Sequence, residues 1–336
     1  MKILIVRVGA LGDVLHALPA AAALRNARPD WTIDWVVDPR WTPLLANGEG
    51  RGEIVTHVHL AETKLWARAP LSWKTLQSVA KLRRDLRNER YDVVVDMQGT
   101  IRSAVIGRFA KAREFTGYAD PREAAAARMY RRSRRRTGEH VVEQGTALLS
   151  AACSVALQSA AVTLPHENWA DNWAAELVGD RKVCVLAASA GWGAKQWPAE
   201  RYGELARALH AMGFTPLVNA AKKDDAVASA VIAASGGAAE MAVCNVAGLI
   251  ALMRRASLLV GGDSGPTHLA AALSIPLVAL YGPTDPARNG PWGAGAMRIL
   301  RGPGSVTSHK RVAEIDAGLA RISVQNVLDE VKELLR

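Results

Sequence analysis

Short apolar runs rich in β-branched residues alternate along this chain with longer stretches of helical period. Residues 2 to 8, 33 to 37 and 92 to 97 are the first such runs. Between them Leu76, Val79, Leu82 and Leu86 recur at three- and four-residue spacing among Lys and Arg, which predicts a helix with one apolar face. The pattern restarts at 182 to 187 and continues with runs near 214 to 219, 240 to 246, 257 to 261 and 275 to 281. Strands separated by helices pair in parallel, so the reading is an α/β protein with a Rossmann-like sheet in each half. The stretch 160 to 181, with Pro165, Asn168, Asn172 and Gly179, interrupts the alternation and reads as a linker. Domains of 1–165 and 166–336 are expected, with the last helix able to pack back on the first. Two such domains facing one another would form a ligand cleft at the carboxyl ends of their strands.

A chain of 336 residues exceeds what one hydrophobic core usually serves, which agrees with two domains. With 49% hydrophobic and 22% charged residues, disorder is excluded. The formal charge of +10 favours a polyanionic partner: nucleic acid, an acidic membrane surface or a phosphorylated substrate. Cys153, Cys184 and Cys244 lie far apart with no metal-ligand spacing, and read as reduced thiols in a cytoplasmic protein. The opening run is broken by Arg7 and followed by Asp13, so it reads as a strand rather than a signal peptide. Gly145 to Pro165 lacks charge but carries Ser150, Ser154, Gln158, Ser159 and Thr163, and reads as a buried or amphipathic helix.

The chemistry concentrates in turns that follow strands. Gly261-Gly262-Asp263-Ser264-Gly265-Pro266-Thr267-His268 joins a buried run to an Ala-rich helix, with Pro266 suited to the first helical turn. Helix N-terminal amides attract anions, glycines let a phosphate approach, and Ser264 and His268 add side-chain donors. Upstream, Ala188 to Pro198, with Ser189, is a small-residue loop whose Lys195 suits a diphosphate as a point charge. In the first half, Gly12 and Asp13 stand where a strand turns into a helix. Asp13 is equally suited to cap that helix or to accept a proton from a substrate hydroxyl. Gly9 and Gly12 give only part of a dinucleotide fingerprint, and Asp34 or Asp38 imitates its ribose-binding acid. Seven arginines lie between residues 122 and 136, opposed by Glu123 alone. That density suits an anionic acceptor or membrane surface, with nucleic acid as the rival. Neither paired-cysteine nor H-E-x-x-H motifs occur, so no metal is expected.

Taken in order, these stretches resemble the lipopolysaccharide heptosyltransferases over nearly the whole chain. The matches are Met1 to Arg7, Gly12 to Ala20, Asp34 to Val37, Tyr91 to Gly99, Lys195 to Pro198, Asp263 to His268 and Tyr281 to Pro286. The resemblance implies a GT-B architecture and inverting, metal-independent heptose transfer without a cofactor. The implied donor is ADP-heptose and the implied acceptor a Kdo sugar of lipid A, at the cytoplasmic face of the inner membrane. Asp13 falls on the family's general base. Ser189, Lys195, Asp263, Ser264, Gly265 and His268 fall on or beside its donor motifs. Gly12, His16, Gln98, Arg102, Arg122, Arg136 and His140 are the acceptor-side candidates. The chain departs from the family at Ala190-Gly191-Trp192-Gly193, where relatives carry hydroxyls or an acid. The run Gly12 to His16 favours transfer to Kdo over transfer to a first heptose. Two other classes stay open: a non-catalytic nucleic-acid binder and a nicotinamide oxidoreductase.

Overall fold

The computed structural model describes residues 1–308 and 312–336 and divides into two compact units, Met1–Pro165 and His166–Arg336. In the first unit the strands are β1 (Lys2–Val6), β2 (Thr32–Val37), β3 (His57–Leu60), β4 (Val93–Asp96), β5 (Glu114–Tyr118) and β6 (Arg132–Arg134). They form one sheet in the order β3-β2-β1-β4-β5-β6, with every pair parallel. Ile3, Leu4, Ile5 and Val6 are wholly buried, as expected of a central strand covered on both faces.

The second unit repeats the plan with β7 (Val183–Ala187), β8 (Thr215–Ala220), β9 (Glu240–Val243), β10 (Leu258–Gly262), β11 (Leu277–Tyr281) and β12 (Met297–Arg301). Its order is β12-β11-β10-β7-β8-β9, again all parallel. Both sheets therefore have the doubly wound order, in which ligands bind where strand order reverses. That point lies between β1 and β4 in one unit and between β7 and β10 in the other.

Four differences from the sequence reading have local causes. The helix Trp73–Asn88 forms, but Leu76 is 49% exposed. Thr75 takes the inward position with Leu82 and Leu86, and Leu76 is rotated away from it by about 100°. The stretch read as a linker holds the helix Asn168–Val178, whose Ala170 and Ala174 pack with Ala247 and Ala251. Arg132 to Arg134, inside the arginine cluster, is a short edge strand. The last helix, Val324–Leu334, buries Val324, Val327 and Val331 in the second unit's own core. The uncharged stretch from Gly145 lies partly in the helix Val141–Cys153, whose inward side is buried. Among the described residues no helix is long and apolar enough to cross a membrane. Cys153 and Cys184 are buried and Cys244 partly so, all as free thiols. Burial pushes Cys153 and Cys244 up to about 12, which removes them as nucleophiles at neutral pH.

Candidate functional site

In the second unit the chemistry gathers where β7 and β10 end. β10 delivers Asp263 as the first residue past the strand, and the helix Gly265–Ala272 begins directly after Ser264. Pro266 lies in that helix's first turn, where its missing N–H leaves no bond unmade. Gly262 lets the Lys195 loop close over the strand end, because a Cβ there would stand 3.0 Å from the Lys195 carbonyl oxygen. The far end of that loop is fixed by Trp197, fully buried, whose Nε1 donates to Ile322 O at 2.9 Å.

Asp263 is 8% exposed and three side chains converge on it. Lys195 Nζ lies 2.5 Å and the Thr284 hydroxyl 2.6 Å from Oδ2, while His268 Nε2 lies 3.2 Å from Oδ1. Burial alone raises the carboxyl, but the His268 bond and charge and the Lys195 ammonium outweigh it and hold Asp263 well below the usual carboxylate range. The result is a rigid anion at the mouth of a helix N-terminus, with Lys195 beside it. An ammonium has three donors, and Asp263 takes one, so Lys195 can serve a second anion. Ser264 makes no side-chain capping bond, and its Oγ stands 3.5 Å from Thr267 Oγ1. Ser189 donates to Asp225 Oδ1 at 3.2 Å, and Asp225 in turn caps the helix Ala226–Ser235. Ser189 therefore braces the loop at the next strand. Thr284 was not among the candidates from sequence, although it lies in the matched turn Tyr281 to Pro286; it reaches Asp263 because β11 is the neighbour of β10.

In the first unit the corresponding edge carries Asp13 in the first turn of the helix Leu11–Ala27. Asp13 is both a cap and an ion-pair partner: Oδ2 accepts from Ala10 N at 2.9 Å and Oδ1 meets an Arg7 guanidinium nitrogen at 2.7 Å. The Arg7 guanidinium also donates to Met97 O, tying the loop after β1 to the loop after β4. From the sequence Arg7 broke an apolar run and closed the matched stretch Met1 to Arg7, with no role assigned to its side chain; its position as the residue after a buried strand was the available signal. Asp13 keeps 40% of its side chain exposed. Each carboxylate oxygen has a second acceptor site, so a substrate hydroxyl can still donate to it.

The acceptor-side candidates divide. Gln98 accepts from Val8 N at 2.7 Å, next to the Asp13 turn. His16 and His140 stack edge to face with ring centres 5.4 Å apart, joining the Asp13 helix to the helix Val141–Cys153. Gly12 lies beside Asp13 in the first helical turn. Gly99 has φ +72°, and a Cβ there would stand 3.1 Å from Pro121 Cβ and 3.2 Å from Arg122 N. This close approach brings Arg122 against the β4 loop, where Arg102 is exposed in the helix Ile101–Phe109. Buried Asp96 orders that loop by accepting from Gln98 N, Gly99 N, Ser103 and Tyr130. Arg136 is held by its own unit: Nε donates to Asp120 at 3.1 Å, a terminal nitrogen donates to Gln144 at 3.2 Å, and the guanidinium lies 3.9 Å from the Tyr118 ring centre. Asp34, the imitator of a ribose-binding acid, is fully buried and accepts from Tyr91 at 2.6 Å and from His57 N at 3.1 Å. It braces β2 against β3 and has no surface for a ribose. Among the described residues no group of three or more His, Cys, Asp or Glu could hold a metal ion.

Residues 79–314 match the model of glycosyltransferase family 9 (heptosyltransferase). The chain is 29% identical to lipopolysaccharide heptosyltransferase 1 of Pseudomonas aeruginosa over 89% of its own length and 83% of the relative's. It is 28% identical to lipopolysaccharide heptosyltransferase 2 of Escherichia coli strain K12, covering 100% of this chain and 99% of that one. Among solved structures it is similar to an E. coli heptosyltransferase with ADP, at TM-score 0.81, 25% identity and coverage of 99% and 100%. A second E. coli structure, with ADP-2-deoxy-2-fluoro heptose, gives 0.79 and 25%, with 99% of each chain covered.

Proposed function

Because this chain belongs to glycosyltransferase family 9, the heptosyltransferase family, we propose that it transfers L-glycero-D-manno-heptose from ADP-heptose to a Kdo residue of the lipid A inner core, with inversion and without a metal. The observation that carries the donor assignment is the buried Asp263 carboxylate fixed by Lys195, His268 and Thr284 at a helix N-terminus. The ADP and ADP-heptose analogue in the similar E. coli structures support the same donor.

In this reading Lys195 and the amides of Ser264 and Gly265 bind the diphosphate, and gain most from it as negative charge develops on the leaving ADP. Asp263 accepts hydrogen bonds from heptose hydroxyls. Asp13 takes the proton of the acceptor hydroxyl as that oxygen bonds to the anomeric carbon, because a free alkoxide at neutral pH costs too much. The anomeric carbon–phosphate bond breaks with its electron pair going to ADP. Gln98, Arg102, Arg122 and the His16–His140 pair face the acceptor, and the enzyme works at the cytoplasmic face of the inner membrane.

A second reading is transfer to the first heptose instead of Kdo, favoured by the match to heptosyltransferase 2 over the full length of this chain. Incubation with ADP-heptose, EDTA and two acceptors, Kdo-lipid A and its monoheptosylated form, separates them by mass spectrometry. Heptose gain on the Kdo-terminated acceptor alone supports the proposal. Gain on the monoheptosylated acceptor alone supports the second reading, and gain on neither overturns both.

A further inference from the structure

The segment between β3 and β4 carries an apolar surface that the transfer chemistry does not use. Leu71 is 88% exposed, Trp73 71% and Leu76 49%, all within six residues of a turn that leads into the helix Trp73–Asn88. This turn is not loose. Ser72 Oγ accepts from Thr75 N at 3.2 Å, the Thr75 hydroxyl donates to Ala69 O at 2.7 Å, and Trp66 Nε1 donates to Ser78 Oγ at 3.2 Å. The backbone thus holds three large apolar side chains outward, at the cost of exposing them to water.

The charge around them is predominantly positive, with Glu62, which accepts from Ser78 at 2.6 Å, and Asp85, which pairs with Lys81 at 2.5 Å, as the flanking acids. Lys64, Arg68, Lys74, Lys81, Arg83 and Arg84 are all exposed, and no Asp or Glu occurs between residues 63 and 84. Trp and Leu beside clustered Lys and Arg are the combination that seats a surface element in the headgroup layer of an anionic bilayer. A second copy meeting this face about a two-fold axis would oppose like charges, which disfavours self-association. A nucleic-acid partner would engage the cations and leave Leu71 and Leu76 in water.

We propose that Leu71, Trp73 and Leu76 insert into the interfacial layer of an anionic membrane, with Arg68 and Lys74 contacting lipid phosphates. This deepens the proposed membrane partner, and it does not depend on heptose transfer because its test contains neither donor nor acceptor. Flotation of the full chain is measured with vesicles of phosphatidylcholine alone and of phosphatidylcholine with about a third phosphatidylglycerol. The wild type is expected to float with the anionic vesicles and far less with the neutral ones. Combined Leu71→Glu and Trp73→Glu should weaken that binding about tenfold or more, and combined Arg68→Glu and Lys74→Glu should remove its salt-sensitive part. Each variant is first matched to the wild type by circular dichroism and melting temperature. As all four side chains are exposed, the fold should be retained; if one pair fails to fold, Leu71→Ser with Trp73→Ser is measured instead. Wild-type protein that stays unbound, or variants that float like the wild type, would overturn the proposal. So would a wild-type dimer in light scattering that the Trp73 variant converts to monomer, since it would assign the patch to a second copy.

Discussion

Replacing Asp263 with Asn isolates the charge in the second unit's network from its shape. The amide keeps an acceptor for Thr284 or Lys195 but leaves the Lys195 ammonium, only 16% exposed, without its counter-charge. Removing one member of a buried ion pair costs about 3–5 kcal/mol. The retained hydrogen bond puts this case near the lower end, about 3 kcal/mol. The pH dependence follows from the direction of the shift. In the folded protein Asp263 stays ionised well below its ordinary value of 3.8, so the unfolded chain takes up the proton first as pH falls. The stabilisation is therefore complete above that ordinary value and declines below it, by about 1.4 kcal/mol per pH unit. The assay is urea unfolding of wild type and Asp263→Asn from about pH 6 to pH 3, read by hydrogen exchange in peptides spanning β10 so that only the second unit is followed. The two proteins should differ by about 3 kcal/mol at the upper end, and the gap should narrow below about pH 4 by about 1 kcal/mol on reaching pH 3. A gap that stays constant down to pH 3, or no gap at pH 6, would refute the assigned pairing.

Lys195→Ala should weaken ADP binding about tenfold to a hundredfold in calorimetric titrations run with EDTA, with UDP, GDP and NAD as comparisons. Unchanged ADP affinity would remove Lys195 from the diphosphate site, and tighter binding of NAD than ADP would favour an oxidoreductase. Arg7→Met should lower kcat about tenfold at unchanged donor KM, because the Asp13 carboxylate loses the partner that orients it, and Arg7→Lys should restore part of the rate. Equal kcat in all three proteins would make Arg7 a purely structural tie.

The central strands were legible because β1, β7, β10 and β11 are continuous apolar runs buried on both faces. Among the edge strands only β9 was, within the run read at 240 to 246. β6 is Arg-Ser-Arg and β12 is Met-Arg-Ile-Leu-Arg, and neither strand is buried along its length, so neither has an apolar run to announce it. The Asp263 turn could be read because glycine, a capping residue and proline follow a buried strand in fixed order. Its partner Thr284 could not be assigned, since that contact depends on which strand lies next to β10. The arginine cluster shows the converse limit. Density alone suggested anion binding, but Arg136 is engaged by Tyr118, Asp120 and Gln144, and Arg132 pairs with Glu114 at 2.9 Å.

The most direct test of heptosyl transfer by an Asp13 base is a single-turnover assay of wild type and Asp13→Ala with saturating ADP-heptose and Kdo-lipid A. Donor affinity is measured in parallel. The expected result is heptose transfer by the wild type and a rate lower by about 10²–10⁴ in the variant, at unchanged affinity for ADP-heptose. An Asp13→Ala enzyme that transfers heptose at the wild-type rate, or a wild type that binds the donor and transfers nothing, would contradict the assignment.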